Sequence, residues 1–187
     1  VGKVNSRIPP VKLFCGVLYR DESDLEKALT MLVRKCGPIE DRSGSVPFVQ
    51  TDYYEPEMGK DLKRMFVSFH RLIPRERIVG IKLYSNKVED RFLSGSGGRR
   101  INLDPGFVSV PNVALATTKD FQHRVWLGRG IYLENTLRFR GGRWTEWEWT
   151  YPDYKTAFSL AWFAEIHKRY KKELREKKRP GKSGESD

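Results

Sequence analysis

The 187-residue sequence predicts an α+β fold: a mostly antiparallel sheet with a ferredoxin-like βαββαβ core, a β-hairpin extension and a long C-terminal helix. Three observations predict it. KLFCGVLY, residues 12–19, is almost wholly apolar, as a strand buried on both faces must be. Leu25, Ala28, Leu29, Leu32, Val33 and Cys36 then recur at helical spacing. Gly141-Gly142 divides two β-rich runs, the signature of a two-residue hairpin turn.

In order along the chain, the first strand passes into a helix that Asp21 or Ser23 caps and that Gly37-Pro38 ends. SVPFVQTDYY (45–54) reads as the second strand, with Pro47 fixing it at a sheet edge or near its start. PEMGK (56–60) is a turn. LKRMFVSFHRLI (62–73) reads as a strand through its β-rich MFVSF, although Leu62, Met65, Phe66 and Phe69 also fit a helix. Pro74 opens a second helix, 74–93, with Ile78, Ile81, Val88 and Phe92 along one side. SGSGG (94–98) is a flexible loop.

RRINLDPG (99–106) supplies the fourth strand. Ile101 and Leu103 take the core side, Arg100, Asn102 and Asp104 share the other, and Pro105-Gly106 stop the run. A β-rich extension, 122–150, follows: RVWLG, IYLENTLRFR and RWTEWEW. Asp153 is placed to cap the closing helix, 153–178, whose apolar residues step at about four. Residues 1–178 form a single α+β domain and 179–187 a disordered basic tail. The alternative is a more open sheet that curls around the last helix.

Net charge is +11, and it is uneven. Nine Lys/Arg against four Asp/Glu in 168–187 give +5, which leaves +6 for residues 1–167. A phosphate-bearing ligand or a polyanion suits such a surface. Cys15 and Cys36 have neither metal-ligand nor redox spacing and fall on apolar positions, so both are expected as buried free thiols. VGKVNSRIPPVK lacks the apolar run of a signal peptide, and no stretch approaches the length of a membrane span. The expectation is a cytoplasmic protein without a membrane partner.

Several polar groups are candidates for chemistry. Asp52 and Glu55, with Asp104, have the oxygen donors for Mg²⁺. Asp104 and His123 are the candidate catalytic residues, His123 as a general acid or base, with Lys119 and Arg124 close to it in the chain. Arg100, Asn102 and Lys119 are candidate ligand-binding residues, as are Asn86 and Glu89, which share a helical stripe with Lys82. The hairpin register sets Glu134, Thr136, Arg138, Arg140, Trp147 and Trp149 on one face, a candidate platform for bases and phosphates. No G-x-x-x-x-G-K-[ST] phosphate loop, zinc-spaced ligand pair or G-x-S-x-G elbow occurs.

TDYYEPEMG, SFHRLI, IKLYSNKVE, RRINLDPGFVS, LATTKDFQHRVWLGRGIY and WTYPDY together resemble the bacterial family catalogued as domain of unknown function 4416, over about Lys12 to Tyr170. The resemblance implies no established activity. Some members carry an automatic GTP-binding label, which the missing phosphate loop does not support. It does imply a candidate site at the polar positions of those segments: Asp52, Glu55, Glu57, Asn86, Glu89, Asn102, Asp104, Lys119, His123 and Asp153. Two functions fit. One is a binder or small enzyme for a phosphate-bearing metabolite or nucleotide, with Mg²⁺ as its cofactor. The other is an RNA-binding module that uses the basic tail and the Arg/Trp face; a scaffold role is the remaining alternative.

Overall fold

In the computed structural model, which describes residues 2–3, 8–95 and 97–178, an eight-stranded antiparallel sheet is sandwiched between helices. Its core strands are β1 (Val11–Tyr19), β2 (Ile39–Pro47), β3 (Lys63–Ile73) and β4 (Ile101–Val108). The extension adds β5 (Asn112–Thr117), β6 (Val125–Gly128), β7 (Ile131–Arg140) and β8 (Arg143–Glu146). The order in space is β2-β3-β1-β4-β5-β7-β6, with β8 paired to β7. The tail proposed for 179–187 lies outside the described residues.

All nine residues of β1 are buried, because side chains leave it on two covered faces. Its odd positions, Val11 to Tyr19, pack against α1 (Glu22–Cys36) and α3 (Arg77–Glu89). Phe14, on the even side, joins Phe66, Val113 and Leu137 under α4 (Ala157–Lys178), which covers that face with Trp162, Phe163 and Ile166. Phe66 stacks on Trp162 with centroids 5.2 Å apart, and Phe14 meets Phe163 edge-on. Lys12 is fully buried, and its ammonium is held by Glu40 of β2 and Glu173 of α4. Cys15 and Cys36 are buried free thiols. Among the described residues no helix is long and apolar enough to cross a membrane.

Asp21 caps α1 by accepting from the Ser23 amide at 2.7 Å. The second strand lies earlier than SVPFVQTDYY: it is the polar, largely uncovered IEDRSGSVP at the sheet edge. Phe48 to Met58 instead folds over the end of β1 and contains a short helix, α2 (Glu55–Met58), where a turn was expected. Asn112–Thr117 is a further strand, unanticipated by the sequence pattern. Strand pairing of β8 ends at Leu137↔Glu146, so Trp147–Thr150 form a turn rather than more strand. Asp153 does not cap the last helix. It lies in a 3₁₀ turn, Pro152–Lys155, and Thr156 accepts from the Ser159 amide at the start of α4.

Pro105 and Gly106 do not stop β4; the strand runs through both. Gly106 is required there, since a Cβ would lie 2.4 Å from the Ala114 carbonyl oxygen and 2.6 Å from the Phe14 ring. β4 pairs with β1 along its whole length but with β5 at only three positions, Gly106 to Val108. From Asp104 back to Ile101 the β5 side of the strand is open. Period-2 geometry turns the polar groups of Leu103, Pro105 and Phe107 to that side. Proline has no N–H to leave unpaired there. Leu103 is served by α3: the Lys82 ammonium donates to its carbonyl at 2.9 Å, and its amide donates to the Glu89 carboxylate.

Candidate functional site

Where β5 splays from β4, the sheet opens into a cavity of about 390 Å³ on the α4 side. β4 contributes Asp104, and β5 and its following loop contribute Leu115, Thr117 and Lys119. Arg64 of β3 and Asp153 and Tyr154 of the 3₁₀ turn form its floor. Phe48 and Tyr54, from the segment before α2, and Tyr151 supply aromatic wall.

Arg64 is the central cation. Its Nη2 lies 2.7 Å from Asp153 Oδ2 and its Nη1 3.6 Å from Asp104 Oδ2. Burial opposes its charge, but the groups around it, Asp153 first and then Tyr154, Asp104 and Tyr54, together outweigh burial and keep the guanidinium protonated. Gly16 of β1 makes the space: a Cβ there would sit 2.7 Å from the Tyr154 hydroxyl and 3.1 Å from Arg64 Nη1. Arg64 Nε and Nη1 and the Tyr154 hydroxyl are buried without a hydrogen-bond partner among the described residues. Burial pushes the Asp153 carboxyl up, opposed by Arg64, and pushes Tyr151 up to about 12.

A polar chain ties the floor to the segment that covers it. Glu57 of α2 holds Arg99 through two bonds, at 2.6 and 2.8 Å. Arg99 donates to Asn102 at 2.8 Å, and Asn102 donates to Asp104 at 2.7 Å. Opposite, Glu134 of β7 is 1% exposed. It accepts from Arg124 Nε at 2.8 Å, while Arg124 Nη2 donates to the Tyr151 hydroxyl at 2.7 Å. At the mouth, Lys119 donates to the Tyr53 hydroxyl at 2.9 Å and lies over that ring.

Of the residues singled out in the sequence, Asp104, Lys119, Glu134 and Asp153 line the cavity. Asn102 stands behind it, and His123 packs against its Glu134 wall, with Nε2 3.4 Å from the carboxylate. Asp104 and His123 are bonded to different carboxylate and cation partners and form no direct pair. Asp52 and Glu55 are exposed and do not join Asp104; among the described residues no three His, Cys, Asp or Glu side chains converge as a metal-binding group. Arg100 does not share the polar side of Asn102 and Asp104; it pairs with Asp24 of α1 at 3.2 Å. Glu89 is engaged by the Leu103 amide, and the half-buried Asn86 lies on α3 without lining the cavity.

The hairpin forms in the expected register, Arg138↔Thr145 and Arg140↔Arg143, but no open platform results. Glu134 and Thr136 are buried. Arg138 covers Trp147, Trp147 stacks on Trp149, and Trp149 stacks on His123, so the ring faces are spent on one another. Sequence reasoning missed Arg64, Tyr54, Tyr151 and Tyr154.

A family model described as a domain of unknown function (DUF4416) matches residues 9–170, which include every cavity residue named above. No curated protein and no solved structure matches the chain.

Proposed function

We propose, from the premise that this chain belongs to the family described as a domain of unknown function (DUF4416), that it binds a small phosphate-bearing metabolite of the nucleotide class in the opening between β4 and β5. One observation carries the reading: an aromatic-walled cavity lined by cations and carboxylates together, Arg64 and Lys119 beside Asp104, Asp153 and Glu134. A mostly apolar wall with a few convergent polar groups is the usual form of a small-molecule site. The volume falls in the range of small-molecule sites.

Charge divides the ligand into two parts. Inside, Arg64 is already faced by Asp104 and Asp153, and Arg124 by Glu134, so a phosphate would meet repulsion there. A planar polar base suits that interior, stacking on the phenol and phenyl rings and exchanging hydrogen bonds with donors and acceptors alike. Lys119 at the mouth donates to the Tyr53 phenol and lies over its ring, with no ion-pair partner among the described residues, and it is the cation for the phosphate.

Calorimetric titration with the four common nucleoside 5′-monophosphates and their nucleosides tests the reading. At least one monophosphate is expected to bind about tenfold tighter than its nucleoside, and Lys119→Ala to erase that difference. Failure of every compound to bind at millimolar concentration overturns it.

A further inference from the structure

We infer that the groove between α4 and the β7–β8 turn is a second binding surface, one that takes the backbone of single-stranded RNA. It is separate from the cavity: none of its lining residues is shared with that site. Lys168, Lys171, Lys172 and Arg175 form one wall, and Gly142 stands on the other. Positions i, i+3, i+4 and i+7 of a helix share a face, so these four cations make one stripe along α4. Gly142 belongs to the turn that joins β7 to β8.

This charge is largely uncompensated. The carboxylate lining the groove, Glu165, bonds Arg169, and Arg169 also holds Asp41 at 2.9 Å. Lys172 has a 4.0 Å approach to Glu176, and Glu173 is turned inward to Lys12. For Lys168, Lys171 and Arg175 no carboxylate lies within ion-pair distance among the described residues. Several unneutralised cations along a concave track match a polyanion, whose bound counterions they release.

Shape and chemistry favour a nucleic-acid strand over a membrane. A helix that lies on a bilayer offers Trp, Phe or Leu to the acyl chains. Here α4 buries Trp162, Phe163, Ile166 and Tyr170 in the core, and no large exposed apolar side chain lies between Phe139 and Lys178. Phe139 and His167 instead form the groove floor, with Lys171 over the Phe139 ring.

The test is fluorescence anisotropy of the full chain with a labelled single-stranded RNA of about 20 nucleotides across a salt series. Binding should weaken linearly in log–log form with salt. The triple variant Lys168→Glu/Lys172→Glu/Arg175→Glu should bind at least tenfold more weakly, and a neutral triple, all to Gln, should lower the slope by about 2. The three side chains are exposed, so circular dichroism and the melting temperature should not change. If the glutamate triple does not fold, the glutamine slope alone decides. Equal RNA binding by variant and wild type overturns the inference. So does retention on vesicles containing phosphatidylserine without RNA binding, or competition by polyglutamate as effective as unlabelled RNA at equal charge.

Discussion

Arg64 carries its charge in the interior because two carboxylates share the cost of leaving water. Removing the cation strands them. Arg64→Met is expected to lower stability by about 3–5 kcal/mol in urea denaturation and to abolish nucleotide binding in calorimetry. His167 makes a pH-dependent contribution of the opposite kind. Burial holds its imidazole below the usual value of 6.5, so it is neutral in the folded chain while the unfolded chain protonates first. Its stabilising contribution is complete above about pH 6.5 and is lost as pH falls through the depressed folded value. Melting temperature should therefore drop more between pH 7 and 5.5 in the wild type than in His167→Gln. Of these residues the sequence displayed Asp104 openly, as a poor strand former in an alternating run. Arg64 left a fainter trace: Leu62, Phe66 and Met65, Val67, Phe69 make both sides of that strand apolar, and Arg64 interrupts one of them. A lone cation on a doubly covered strand has to be paired, but its partners lie 40 and 89 positions away and no local pattern names them.

Among the elements, α3 does more than pack. Its Lys82 and Glu89 stand where inter-strand bonds from β5 would otherwise satisfy β4. Lys82→Met should cost about 1–3 kcal/mol, because it leaves the buried Leu103 carbonyl without its donor. Glu89→Gln keeps an acceptor for the Leu103 amide and should cost less. Denaturation of both variants checks the ranking, and amide exchange at Leu103 checks the cause. The stripe itself was legible in the spacing of Lys82 and Glu89. Its purpose was not, since that depends on β5 leaving β4. Helix α1, β1 and the hairpin turn were readable because each announces itself locally, by period, by an unbroken apolar run or by Gly-Gly. The second strand was misplaced because an edge strand has little burial to impose alternation: IEDRSGSVP is polar and irregularly paired. NVALAT was missed because Pro105-Gly106 read as a terminus rather than as the point where one side of a strand runs out of partners.

For the molecule as a whole, the absence of a phosphate loop from the sequence sets an expectation for the triphosphates: GTP should bind no more tightly than GMP in the same calorimeter. Micromolar GTP affinity, competed by GDP and not by ATP, would refute it. The three pairings between β4 and β5 have a mechanical meaning as well. Among the described residues they are the only strand pairings joining one leaf of the sheet, β2-β3-β1-β4, to the other, β5-β7-β6 with β8. Side chains fasten the leaves on both sides: Trp162 and Phe163 lie in one cluster with Phe14, Phe66, Val113 and Leu137, while Ile81 lies in another with Leu103 and Ala114. The sheet thus resembles a book stitched at one end of its spine. The aperture is governed by the angle between covers rather than by the rotamer of a single residue, and whatever sits between the pages resists their turning. An occupant would then slow amide exchange at Val113 and Leu137, on that second cover but outside the cavity lining, as much as at the residues it touches.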